Sequence, residues 1–157
     1  MPRAWFDWLQ MSWLGTSVRE STWGFAGASV VLLFGIVLLV GGVCIMSLRL
    51  LGFIMPKRPV SMLARDLNRW VLVGLAMTLV AGTLMAMGHG AMPDLYESYS
   101  FWLEMKLLLV ALVFHFTLYR RVTGRDDAPA TVRAITGILA LFLWFGVGVA
   151  GRAIGFF

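Results

Sequence analysis

The stretch Ser100–Arg121, SFWLEMKLLLVALVFHFTLYRR, decides how this chain folds. Its centre, Leu107–Phe114, is uniformly apolar, and residues on both sides extend it to the roughly 20 that a helix needs to cross a hydrocarbon core. Glu104 and Lys106 sit just past the entrance, His115 lies deep in the second half, and Tyr119, Arg120 and Arg121 mark the exit. The pattern predicts a membrane-spanning helix over about 101–120. Three more segments repeat it, over about 23–54, 70–88 and 134–156.

Composition agrees. The 157 residues are 60% hydrophobic and 13% charged, and the mean hydropathy is +0.85. Lipid offers no partner to backbone N–H and C=O groups, so spanning segments fold as helices or closed barrels. These segments are too long and too uniformly apolar for barrel strands. The expected fold is an all-α membrane protein, a bundle of four transmembrane helices forming one domain over 1–157. Cys44 is the single cysteine and stands inside an apolar run, so no internal disulfide forms. The net charge of +5 reads as a membrane-orientation signal and not as a nucleic-acid footprint.

Ahead of the first crossing, residues 1–16 (MPRAWFDWLQMSWLGT) place Trp5, Trp8, Leu9 and Trp13 on one helical face. Asp7, Gln10 and Ser12 interrupt any apolar run, which excludes a cleaved signal peptide. A Trp-rich amphipathic helix prefers the headgroup boundary, so an interfacial helix is expected here, ended by Gly15. Ser17 and Glu20 then have capping-box spacing for the next helix. The first crossing should run to about Ile54 and stop at Pro56, with Lys57–Arg69 as a loop. In the second crossing Gly74, Thr78, Gly82 and Ala86 recur every four residues. Small residues at that spacing predict close approach of a neighbouring helix.

Lysine and arginine counts orient the chain. Arg49, Lys57, Arg58, Arg65, Arg69, Arg120, Arg121, Arg125 and Arg133 fall on one side, against Arg3, Arg19, Lys106 and Arg152 on the other. The positive-inside rule puts the richer side in the cytoplasm. Both termini and the loop carrying Asp94 and Glu97 are then periplasmic, in a bacterial inner membrane.

Three sets of residues are candidates for chemistry. Met85, His89 and Met92 share a helical face (i, i+4, i+7), with Met87 on another. Thioethers and imidazole suit Cu(I), and the set lies at the outer mouth, where Met105 could join it. The plain alternative is methionine as packing material. The second set is Glu104, Lys106 and Arg152, expected at similar depth near the outer face. Charges at membrane depth normally pair inside the bundle, so Glu104 and Arg152 are expected to couple. Alternatively, Lys106 and Arg152 bind an anionic headgroup, a quinone oxygen or a haem propionate. The third is His115, about 20 Å along the helix from Trp102 and so nearer the cytoplasmic face. That distance keeps His115 and His89 from sharing one ligand. A buried, hydrogen-bonded histidine is the plain reading. No glycine loop, Ser-His-Asp set or intramembrane carboxylate pair points to a hydrolase or a nucleotide site.

RESTWGF near the start, LVGGVCIMSLRLLG in the first crossing, FWLEMKLLLVALVFH in the third and FGVGVAGRAIGFF at the end resemble an uncharacterised group of small four-helix bacterial membrane proteins. That group is distantly similar to the copper-resistance D family and to the haem-binding bacterial protoporphyrinogen oxidase family. The resemblance implies a four-helix bundle and an activity involving copper or haem b, with His115 as a single axial ligand. It also implies a histidine near Leu32, where this chain reads Ser29-Val-Val-Leu-Leu33. Three functions are therefore expected alternatives: periplasm-facing metal handling, notably of copper, at Met85, His89 and Met92; a b-haem electron carrier or oxidoreductase using His115; and a non-catalytic accessory subunit of a respiratory or oxidase complex. Expected partners are the lipid bilayer and a membrane protein or second copy packed on glycine-rich helix faces, with no nucleic acid.

Overall fold

The computed structural model describes Trp8 and residues 11–88 and 99–154; within its helices the side chains of residues 14, 15, 18, 19, 22, 88 and 152–154 are not described. Five helical rods account for nearly all of this: α1 (Trp13–Glu20), α2 (Thr22–Leu50), α3 (Val60–Gly88), α4 and α5 (Ala130–Ile154). Rod α4 spans Tyr99–Thr123; it is α-helical over Tyr99–Phe114, passes through a π-helical turn at His115–Tyr119 and closes with Arg120–Thr123. The rods α2 to α5 are each long and apolar enough to cross a membrane. Their outward faces carry large apolar side chains, including Phe34, Val37, Val110 and Phe142.

Most of the expected interfacial helix, residues 1–16, lies outside the described residues. The part that is described differs from the expectation. Helix α1 runs through Gly15 and Ser17 without a break, because one internal glycine costs a helix only about 1 kcal/mol. The cap of α2 is Ser21 and not Ser17: its backbone is extended (φ −103°, ψ 109°) and its Oγ accepts from Gly24 N–H at 3.0 Å. Helix α1 packs against α3 and α2.

Three boundaries also shift, the simplest being α5, which begins at Ala130 and not near 134. Helix α2 ends at Leu50 and not near Ile54. Gly52 takes the left-handed conformation (φ 85°), its N–H donates to Arg49 O, and Phe53 N–H donates to Leu48 O. This paired closure satisfies the last carbonyls of the helix, and glycine adopts its geometry without Cβ strain. Arg49 then clasps the turn, donating to the carbonyls of Pro56 and Arg58. Helix α3 begins at Val60, ten residues before the expected crossing, so most of the expected basic loop is helix. The start is secured from elsewhere in the chain. Asp126, in the connection between α4 and α5, accepts from Ser61 N–H at 3.0 Å and from Ser61 Oγ at 2.6 Å.

The rods are arranged in the order α3–α2–α5–α4, with α2 touching both α3 and α5. The closest crossing is α2 on α3. A Cβ on Gly74 would meet Leu39 N at 2.6 Å and Gly35 O at 2.7 Å; one on Gly35 would meet Thr78 Oγ1 at 2.7 Å. The expected small-residue face is therefore a true contact at Gly74 and Thr78. The core behind it joins Leu39, Val43 and Met46 of α2, Val71 and Leu75 of α3, Ala111 and Tyr119 of α4, and Ala140 and Trp144 of α5. Rods α3 and α4 meet at the basic end, where α3 touches the Arg120–Thr123 turn. A cleft opens at this end.

Candidate functional site

The outer copper set is only partly placed. His89 and Met92 lie outside the described residues. Met85 is half-buried, with its Sδ 3.7 Å from Ser29 Oγ on α2, while Met87 is buried in the core. Among the described residues no group of three His, Cys, Asp or Glu side chains is placed to hold a metal ion. The outer charge set is also partial. Lys106 is exposed, Glu104 is half-buried, and the side chain of Arg152 is outside the described residues. The Glu104 carboxylate is laid over α5: a Cβ added at Gly151 would come within 2.6 Å of its Oε1. Gly151 thus makes room for a carboxyl group next to the residue expected to pair with it.

His115 is the most constrained polar group described. It is 2% exposed and begins the π-helical turn, whose wide ring closes through Arg120 N–H donating to His115 O. Such turns are rare, usually occur singly inside α-helices, and occur frequently at functional sites. The imidazole stacks on Tyr119 with centroids 4.9 Å apart and 23° between planes, and Trp144 of α5 stands edge-on at 6.1 Å. Among the described residues neither Nδ1 nor Nε2 has a hydrogen-bond partner, and Trp144 Nε1 beside it and Ser47 Oγ on α2 are also buried without one. Buried polar atoms are nearly always satisfied, and leaving one unpaired costs about 1–3 kcal/mol. The plain expectation of a hydrogen-bonded core histidine is not met here.

The ring borders the cleft between α3 and α4, a volume of about 330 Å³. Its buried side is formed by Gly42 and Met46 of α2, Val71 of α3, and His115 and Tyr119. Its exposed rim carries Arg65, Arg69 and Arg120. Ser61, Ala64, Arg65 and Asn68 reach it from one face of α3, at i, i+3, i+4 and i+7. The arginines read in the sequence only as orientation signals. That helical spacing was the available clue to their common face, and it was obscured because Lys57–Arg69 read as a loop. Asp126 is joined to the cleft wall through Ser61. The Ser61 hydroxyl, and then its N–H, hold the Asp126 carboxyl below the usual carboxylate range. Cys44 is a free thiol, half-buried on α2.

The arrangement places a buried imidazole against the base of a polar cleft and positive charge around its mouth. It suits holding a molecule with a polar or anionic head. Comparison with known proteins adds kinship without an activity: no curated protein and no solved structure matches the chain. A family model does match, over residues 5–157, and the chain belongs to that family, DUF6644, a family of unknown function.

Proposed function

We propose that the protein is an inner-membrane, ligand-holding protein whose site is the His115 cleft, and that the ligand is an amphiphile whose polar head hydrogen-bonds to the imidazole. The observation that carries this reading is His115 itself, buried with both ring nitrogens unpartnered while bordering a cleft. A ligand oxygen would satisfy a group that the fold leaves unsatisfied. The membrane reading rests on four apolar rods with outward-facing large side chains and on the lysine and arginine asymmetry. It puts the cleft on the cytoplasmic side and both termini in the periplasm.

The resemblance to copper-resistance D and haem-binding oxidase proteins read in the sequence enters this proposal only as a source of candidates. Haem b is the one that could use His115, since an imidazole with no other partner is a competent axial ligand. As packed, both nitrogens are covered by neighbouring side chains, so any ligand head reaches them only where a side chain lining the cleft turns aside. At about 330 Å³ the cleft is near the small end of the roughly 300–1,000 Å³ of ligand pockets. A smaller polar head fits it better than a tetrapyrrole.

The test is co-purification. Protein isolated whole in mild detergent is extracted, its small molecules are identified by mass spectrometry, and its absorbance spectrum is recorded beside that of His115→Leu. An organic ligand near one per chain, lost from the variant, supports the reading; a Soret band lost with it would identify that ligand as haem. Equal recovery from both proteins, or none from either, overturns the site.

A further inference from the structure

We infer that the rim of the cleft is a phosphate site, formed by Arg65, Arg69 and Arg120 together with the Asn68 amide, and that it takes the headgroup of an anionic phospholipid from the basic-side leaflet. The inference rests on the reading of the cleft as the ligand site and adds the chemical class of the head. Three observations carry it. First, Arg65, Arg69 and Arg120 border one concavity although they come from two rods; the Arg120 guanidinium rests over the exposed Phe116 ring, 6.0 Å from its centroid. Arg65 and Arg69 lie one helical turn apart on α3, about 6 Å along its axis, and Arg120 lines the same cleft from the end of α4. Second, among the described residues no aspartate or glutamate borders the cleft, and Asp126, attached to its wall, is already engaged with Ser61 Oγ and N–H. Third, the hydroxyl of Thr123, buried beside the cleft, is also engaged: Thr123 Oγ1 donates to Tyr119 O. Besides His115 and Tyr119 on the buried side, the polar side chains of the lining left to meet a ligand are Arg65, Arg69, Arg120 and Asn68.

Simple interfacial arginines, placed there by topology alone, would have no reason to share a concavity. Arg49 shows the contrast, since its guanidinium is turned onto the carbonyls of Pro56 and Arg58. Three forked cations around one opening match an oxyanion with several acceptor oxygens, and guanidinium pairs with phosphate through two parallel hydrogen bonds. Basic pockets between helices on the cytoplasmic side are a general means of gripping anionic headgroups. A lipid also fits the shape. Its head would sit among the arginines, its glycerol region would reach toward His115, and its chains would leave along the outward apolar faces of α3 and α4.

The experiment uses the whole protein, delipidated and placed in nanodiscs of phosphatidylcholine, and follows retention and melting temperature as phosphatidylglycerol is titrated in. Parallel arms contain inorganic phosphate without the anionic lipid. Wild type should retain phosphatidylglycerol selectively and melt at higher temperature. The variant Arg65→Gln/Arg69→Gln/Arg120→Gln should lose that selectivity, with each charge-assisted contact removed weakening retention about tenfold. The control Arg58→Gln/Arg121→Gln/Arg125→Gln removes the same charge outside the cleft and should retain it. Equal loss in the control, or full retention in the cleft variant, overturns the site in favour of diffuse surface charge. Protection by inorganic phosphate equal to that by lipid supports the phosphate site and places its source in solution. If His115→Leu loses the ligand while the arginine variant keeps it, this inference fails and the His115 reading stands; the reverse pattern separates them the other way.

Discussion

Replacing His115 by leucine should make the ligand-free protein more stable. The substitution removes two buried polar atoms without partners, each costing about 1–3 kcal/mol, so the gross gain is about 2–6 kcal/mol. Against it stands the loss of the stack on Tyr119 at 4.9 Å, about 0.5–1.5 kcal/mol for an aromatic pair. Leucine brings similar volume and keeps the apolar contacts with Trp144 and the α2 side of the core. The net expectation is a gain of about 0.5–5.5 kcal/mol. The assay is reversible unfolding in mixed micelles on delipidated protein, read by tryptophan fluorescence. Wild type and variant are compared before and after ligand is restored. The variant should be ahead without ligand, and the order should narrow or reverse with it. A delipidated His115→Leu protein clearly less stable than wild type would refute the reasoning, because the imidazole must then be making hydrogen bonds that the fold does not show.

Three further outcomes follow from the geometry. Gly74→Ala should destabilise by about 1–3 kcal/mol, because its Cβ would press on the backbone of Leu39 and Gly35, whereas Gly146→Ala, with nothing within 4 Å, should be neutral or up to about 1 kcal/mol stabilising; equal melting temperatures for the two would remove the tight crossing. The Asp126 carboxyl is held below its usual range by Ser61, so its contribution is present above the unfolded value, near pH 4, and disappears as pH falls through the lower folded value. Asp126→Asn should therefore flatten the acid limb of the melting-temperature profile and leave the neutral region little changed in slope. In a Cys44→Ala background, a cysteine at Asp127 should be shielded from impermeant thiol reagents in intact cells and one at Tyr99 should label; the reverse pattern inverts the orientation.

Legibility in the sequence varied with how local the determinant was. The four long rods were legible because an unbroken apolar run and backbone satisfaction leave few alternatives. The tight face of α3 was legible as well, since Gly74 and Thr78 stand one turn apart. The start of α3 was missed because charge dominated the reading of Lys57–Arg69, although Val60, Leu63, Ala64 and Leu67 already carried helical spacing. The Asp126 bond that secures that start joins residues 65 positions apart, which no local pattern reveals. The place of His115 in the second half of α4 was readable from its distance to Trp102. Its isolation from hydrogen-bond partners was not, because that depends on which side chains α2 and α5 bring beside it. The cleft was hidden for the same reason: it arises from how α3 and α4 meet at the basic end, a property of packing between rods.

The π-helical turn at His115–Tyr119 gives this chain an uncommon sensitivity to length. A π turn accommodates one residue more than an α turn, so deleting a single residue within it would restore regular helix and not break the rod. Everything beyond would then rotate by about 100° and retreat by about 1.5 Å. Arg120, Thr123 and Gly124 would swing away from the α3 side, while Glu104 and Ala111, before the turn, would keep their places against α5. The two ends of α4 are thus phased independently, one to the neighbour it packs on and the other to the opening it borders. A one-codon deletion here would leave a well-folded helix aimed the wrong way, whereas the same deletion in the connection between α4 and α5 could be absorbed by the loop.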